Sequence, residues 1–173
     1  GPKARLGIVT TGKSYLDVRQ ALDDLGLDEA SAAEVGIRLY KVGMPWPLEP
    51  EGAHAFAEGL EEILVVEEKR ALIENQLKEQ LYNNPAEDRP RVIGKFDEAG
   101  EWVLPSNGEL TPGRIARVIA ARIARFHTSP AIEERLAFLE AKEKALAKPK
   151  FDFARTPYFC SGCPHNTSTR VPD

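Results

Sequence analysis

Glu62-Ile63-Leu64-Val65-Val66-Glu67 decides the fold. Four consecutive apolar residues, three of them β-branched and bracketed by glutamates, read as a strand buried on both faces. Such a strand needs helices above and below it, and the neighbouring sequence supplies them. Upstream, Gly12 to Leu25 sets Tyr15, Val18, Leu22 and Leu25 at helical spacing. Downstream, Lys69 to Tyr82 does the same with Leu72, Ile73, Leu77 and Leu81.

The same alternation runs outward in both directions. Arg5–Thr10 and Ile37–Val42 are further strands, and Arg91–Gly94 is a short one. Gly26 stands where a left-handed helix cap belongs, and Asp28–Ala33 adds one helical turn. Met44-Pro45-Trp46-Pro47 cannot prolong the second strand, because proline has no ladder donor. Pro50 opens a helix to Leu60. Asn83–Pro90 is a polar turn, and Trp102–Leu104 is either a strand or an ordered loop. Pro112–Phe126 turns Ile115, Val118, Ile119, Ile123 and Phe126 inward, and Ser129 caps a last helix from Pro130 to about Ala147. Strands alternating with helices imply an α/β fold: a doubly wound, mostly parallel sheet.

After Lys148 the pattern stops. Pro149–Thr156 reads as a linker, and Tyr158–Asp173 is too short to bury a core. The expected division is an α/β domain over 1–148 and, over 149–173, an extended tail that opens a further domain. The chain is therefore expected to be an internal fragment.

Composition bounds the function. At 42% hydrophobic and 29% charged residues, the 173-residue chain is globular rather than disordered. No apolar run reaches the ~20 residues of a membrane span, and Gly1-Pro2-Lys3-Ala4-Arg5 is not a signal peptide. A cytoplasmic location with no membrane partner is expected. The net charge of −4 argues against nucleic acid. Arg114, Arg117, Arg122 and Arg125 alternate with an apolar stripe and are expected to form a solvated face.

Four stretches could carry chemistry. Gly7-Ile-Val-Thr-Thr-Gly12-Lys13-Ser14 matches the phosphate-loop spacing of nucleotide-binding modules. Against that reading, Ile8 and Val9 look like mid-strand residues, and a loop that wraps phosphate needs small, permissive ones. The plainer reading is a strand-to-helix turn capped by Thr10 or Thr11. Glu67-Glu68-Lys69-Arg70 falls at a strand's carboxyl end, where α/β sheets gather ligands, but acidic residues also suit a helix N-terminus. Met44–Leu48 suits an interface or a plug over the core. His54 and His127 read as ordinary surface residues.

Tyr158-Phe159-Cys160-Ser161-Gly162-Cys163-Pro164-His165 is the strongest chemistry. Two cysteines separated by two residues can aim two thiolates at one metal centre, and Gly162 permits the tight turn between them. The pair serves zinc, an iron–sulfur cluster or dithiol redox chemistry. Four-ligand centres need more than Cys160, Cys163 and His165, so the remaining ligands are expected outside this chain.

Several of these stretches together resemble the indolepyruvate ferredoxin oxidoreductases, in particular the long bacterial form with its subunits fused. They are Gly7–Tyr15, Leu39–Leu48, Val65–Arg70 continuing to Gln76-Leu77-Lys78, and Phe159–His165, in the family's order. The resemblance implies an enzyme that decarboxylates aryl pyruvates on thiamine diphosphate and magnesium. It implies capture of the acyl group by coenzyme A and electron transfer through iron–sulfur clusters to ferredoxin. Residues 15–147 would form a domain like the C-terminal domain of transketolase, structural and interfacial rather than catalytic. Cys160 and Cys163 would supply two ligands of a four-iron four-sulfur cluster. His165 would stand where relatives place a polar residue facing the thiamine pocket, although many relatives have glycine where this chain has Pro164. The fragment is expected to be inactive alone and to bind no cofactor by itself. Its expected partners are the other domains of a homo-oligomeric enzyme.

Overall fold

The computed structural model describes residues 4–146 and 158–169. Two compact units divide the chain, residues 1–141 and 142–173. In the first unit, β1 (Leu6–Thr11), β2 (Ile37–Val42), β3 (Glu62–Val66) and β4 (Arg91–Ile93) form one sheet in the order β2-β1-β3-β4. Every pairing in it is parallel. Ile8 is level with Leu39 on one side and Leu64 on the other, so the stretch from Leu6 to Thr11 lies within the sheet.

Alternation along the strands divides the core in two, because successive side chains point to opposite faces. Leu6, Ile8, Leu64, Val66 and Ile93 face α1 (Lys13–Asp24) and α5 (Pro112–Ile123), where Val18, Leu22, Ile115 and Ile119 meet them. Val9, Val42, Ile63 and Val65 face α3 (Pro50–Ala57) and α4 (Ile73–Leu81), packing on Phe56, Ile73, Leu77 and Leu81. Both faces are thus covered, and the fold is the doubly wound α/β sandwich expected. Each fully buried Leu or Ile contributes about 1.5–3 kcal/mol. β1 has no polar face, since all of its residues but Thr11 are buried.

Local chemistry sets the helix ends. Gly26 adopts φ 75°, and the Leu27 amide donates to Leu22 O at 2.8 Å, closing α1 as a left-handed cap. Asp28 caps α2 (Glu29–Val35), its carboxylate accepting from Ser31 N at 2.8 Å. This helix is longer than the single turn expected. Thr111 caps α5, and Ser129 Oγ lies 3.5 Å from Ile132 N at the start of α6 (Pro130–Leu146). Trp102 makes an isolated antiparallel bridge to Phe96, their rings 4.3 Å apart, so Trp102–Leu104 is an ordered loop rather than a strand.

Three expectations need correction. The α1 N-cap is Gly12, not a threonine: Thr11 Oγ1 donates to Val42 O instead, and Thr10 is buried in the sheet. Helix α4 starts at Ile73 rather than Lys69, because Lys69 takes φ 57° and the chain turns before the helix begins. The arginines of α5 are not a uniform solvated face. Arg122 is buried and pairs bidentately with Glu62 through Nε at 2.6 Å and through Nη2.

In the second unit, Tyr158–Thr169 is not simply extended: a turn leads into a one-turn helix, α7 (His165–Ser168). The expected linker Pro149–Thr156 and the expected boundary at 148/149 lie outside the described residues.

Candidate functional site

Among the described residues, chemistry-bearing side chains gather at the carboxyl edge of the sheet, at its amino edge and, in the second unit, at the cysteine turn.

In a sheet ordered β2-β1-β3-β4 the connection reverses between β1 and β3, and the crevice beyond their carboxyl ends is where open α/β sheets bind ligands. Here the chain's own groups fill it. Lys13 Nζ contacts Asp17 at 2.8 Å and Glu109 at 2.9 Å, with Glu68 at 4.0 Å. Asp17 and then Glu109 hold the Lys13 ammonium above its ordinary pKa. Glu68 accepts from Leu110 N at 3.2 Å, and Lys69 Nζ donates to Gly108 O at 2.6 Å. The segment before α5 is therefore stapled across the crevice. Two lysines facing three carboxylates do not make an anion site.

The glycines of the phosphate-loop pattern have other work. A Cβ on Gly7 would lie 2.5 Å from Leu60 Cδ1 and 2.9 Å from the Phe56 ring, so Gly7 lets α3 and Leu60 close on β1. Gly12 supplies φ 54° at the turn into α1. The match is a strand and a turn, not a loop that wraps phosphate.

Glu67 and Glu68 likewise serve the fold. Glu67 accepts from Ile73 N at 2.9 Å and Glu74 N at 3.0 Å, capping α4 from the end of β3. Glu74, also buried, accepts from Lys95 N at 2.9 Å and Lys78 Nζ at 2.6 Å. Lys95 Nζ donates to Glu67 O at 2.5 Å. Burial pushes the Lys95 ammonium below its ordinary pKa, against the pull of Glu67, Glu74 and Glu68. Sequence reading missed this lock, because Lys95 and Glu67 are separated by a whole connection and carry no local signal. Gln76 adds a brace: it accepts from Leu48 N at 2.7 Å and donates to Pro45 O at 2.8 Å and Leu72 O at 3.0 Å. The brace holds the proline-rich loop beside residue 72, leaving Met44, Trp46 and Leu72 exposed by 55%, 67% and 40%.

His54 and His127 are exposed, as expected of surface residues. At the opposite, amino edge of the sheet, Glu98 contacts Arg122 at 3.1 Å and also pairs with Arg125. The Arg125 guanidinium, with help from Arg122, pulls the Glu98 carboxyl down to about 2.

The cysteine turn is built from its own backbone. The Cys163 amide donates to Cys160 O at 3.0 Å, and Gly162 adopts φ 77°, as the expected tight turn requires. Asn166 Nδ2 donates to Cys160 O at 3.0 Å, and Asn166 N to Cys163 O at 3.0 Å, tying the turn to α7. Both thiols are free; Cys160 is exposed and Cys163 partly so. Cys163 Sγ lies 3.2 Å from His165 Nδ1, and the His165 ring stacks on Phe159 at 5.2 Å. The donor set fits the thiolate end of an iron–sulfur cluster: two accessible sulfurs on one stiff turn, from the only two cysteines of the chain. It does not complete a site. Among the described residues no three His, Cys, Asp or Glu side chains come together as a metal-holding group.

Residues 1–149 match the family model described as the indolepyruvate ferredoxin oxidoreductase middle domain. The chain belongs to this family. Its curated relatives include the indolepyruvate oxidoreductase subunit IorA of Pyrococcus horikoshii, 28% identical over 169 residues, covering 97% of this chain and 23% of that protein. IorA of Methanothermobacter marburgensis is 32% identical over 162 residues, covering 92% of this chain and 21% of that protein. The chain thus spans under a quarter of the length of these relatives. Among solved structures it is similar to the 2-oxoglutarate:ferredoxin oxidoreductase of Magnetococcus marinus with 2-oxoglutarate, coenzyme A and succinyl-CoA bound. That likeness has a TM-score of 0.45 at 21% identity and covers 71% of this chain and 18% of that one. A split-gene transketolase, an inactive beta4 tetramer, aligns with a TM-score of 0.44 at 14% identity, covering 70% and 39%. Among the described residues, no helix of this family member is long and apolar enough to cross a membrane.

Proposed function

We propose that this chain is an internal portion of a long, fused indolepyruvate:ferredoxin oxidoreductase, and that its two units divide the labour. The α/β domain over 1–148 is structural and interfacial, and 149–173 opens the thiamine-diphosphate-binding domain. Cys160 and Cys163 supply two ligands of a four-iron four-sulfur cluster. The whole enzyme, a cytoplasmic homo-oligomer, converts aryl pyruvates to acyl-coenzyme A and reduces ferredoxin. When bound, thiamine diphosphate with magnesium supplies the carbanion chemistry and the cluster the electron relay.

The observation that carries this reading is the pairing of two accessible thiols on one glycine turn with a chain whose first 149 residues match the family. Thiolates suit an electron relay because sulfur donors and the hydrogen bonds to them set the potential. The crevice filled by Lys13, Asp17, Glu68 and Glu109 supports the structural role of the first unit. Met44, Trp46 and Leu72 offer the apolar surface on which other domains of the enzyme rest. His165, two residues after Cys163 in that opening segment, faces the thiamine pocket.

The test is Cys160→Ala in the intact enzyme. Ferredoxin reduction should fall to background while far-ultraviolet circular dichroism stays unchanged. Undiminished ferredoxin reduction would refute the ligand assignment.

A further inference from the structure

The contact between Cys163 and His165 goes beyond ligand supply. We propose that His165 is a positioning residue that raises the reduction potential of the iron centre held by Cys163, by donating its Nδ1–H to the Cys163 sulfur. The inference rests on the reading that Cys160 and Cys163 ligate iron.

The geometry gives the contact, and iron ligation assigns the donor. Cys163 Sγ and His165 Nδ1 are 3.2 Å apart, within hydrogen-bond reach for sulfur. A thiolate bound to iron has no proton left to donate, so in the loaded enzyme the hydrogen of this contact belongs to Nδ1. The ring is held from two sides. Its backbone is the first residue of α7, with His165 O accepting from Thr169 N at 3.1 Å, and its face stacks on Phe159 at 5.2 Å and 25°. The imidazole is therefore aimed before any metal arrives. A hydrogen bond into a ligating sulfur draws off negative charge and favours the reduced state. The Cys160 side of the turn shows a different arrangement: Asn166 binds the Cys160 carbonyl oxygen, not its sulfur.

The discriminating pair is His165→Leu, which keeps the bulk and loses the donor, and His165→Asn, whose Nδ2 hangs from Cγ as Nδ1 does. Both are made in the intact enzyme and followed by potentiometric titration with electron paramagnetic resonance. The relevant signal is the one that Cys160→Ala removes. The midpoint of that signal should move to lower potential in His165→Leu and return most of the way in His165→Asn. In unsubstituted enzyme grown on ring-labelled histidine, the reduced centre should also show a nitrogen coupling that His165→Leu abolishes. An unchanged midpoint in His165→Leu, or no ring-nitrogen coupling in the unsubstituted enzyme, would overturn the proposal while leaving the ligand assignment standing. If Cys160→Ala removes no signal, the ligand assignment itself fails and this inference with it.

Discussion

Gly94→Ala is the smallest change that should unlock the first unit. Gly94 does not take a positive φ, so alanine costs nothing in backbone conformation there. The cost is steric: its Cβ would lie 2.4 Å from Glu74 Oε2, 2.8 Å from Glu74 Cδ and 3.1 Å from the carbonyl oxygen of Val65. The strand cannot retreat, because β3 and β4 are paired at Leu64 and Ile93 beside it. The Glu74 carboxylate must move instead, and it is 3% exposed and bonded to Lys95 N at 2.9 Å. Stranding that amide costs about 1–3 kcal/mol, and a lost hydrogen bond to a charged group costs about 1.5–3 kcal/mol. The two overlap, which gives an expected loss of about 2–4 kcal/mol. At about 3 °C per kcal/mol for a unit of this size, thermal melting should fall by about 6–12 °C. A second measurement isolates the cause. In Glu74→Ala the two shortest contacts are gone and only the 3.1 Å approach to the Val65 carbonyl oxygen remains, so adding Gly94→Ala to that background should cost much less than it does alone, and the double-mutant cycle should show strong coupling. Melting of Gly94→Ala within 2 °C of the parent (roughly 0.7 kcal/mol) would refute the reasoning, as would simple additivity in the cycle.

Three further outcomes are expected. Glu98 is held near 2 in the folded chain against 4.5 when free, so its contribution is intact above pH 4.5 and lost as pH falls toward 2. Glu98→Gln should flatten that acid limb of the stability profile, and an unchanged limb would show that the arginine contacts carry no linkage. Magnesium-ATP should leave the melting temperature unchanged, whereas a ligand at a hundredfold excess over its dissociation constant would add about 2.7 kcal/mol. A rise that Lys13→Ala abolishes would restore the phosphate-loop reading. Trp46→Asp should leave the isolated chain's stability within about 0.5 kcal/mol yet weaken assembly of the intact enzyme, seen by size-exclusion chromatography. An intact assembly would remove that loop from the interface.

The strands and helices were legible because their apolar residues repeat at the period of each element, and the interruptions are glycine and proline. Glu62–Glu67 announces a doubly covered strand, and Gly26 and Asp28 mark helix ends by short-range chemistry alone. What the sequence concealed depends on groups far apart in the chain. Nothing near Lys69 shows that Glu67 reaches forward to cap α4 at Ile73, or that a left-handed residue delays the helix. Arg122 looks like its neighbours on α5 until Glu62 is placed beneath it by the sheet. The phosphate-loop match dissolves for a related reason: Gly7 answers to Phe56 and Leu60, which pattern matching does not weigh. At the cysteine turn the legible part was the spacing and the glycine. The contact between Cys163 Sγ and His165 Nδ1 needed the geometry of α7.

The paired thiols of this family member are proposed to bind iron within a larger enzyme. Anomalous diffraction at the iron edge from crystals of the intact parent tests this most directly. The expected map places iron at bonding distance from both Cys160 Sγ and Cys163 Sγ, with the other ligands drawn from residues outside this chain. Iron ligated wholly by other cysteines, with Cys160 and Cys163 left as free thiols or joined to each other, would contradict the account.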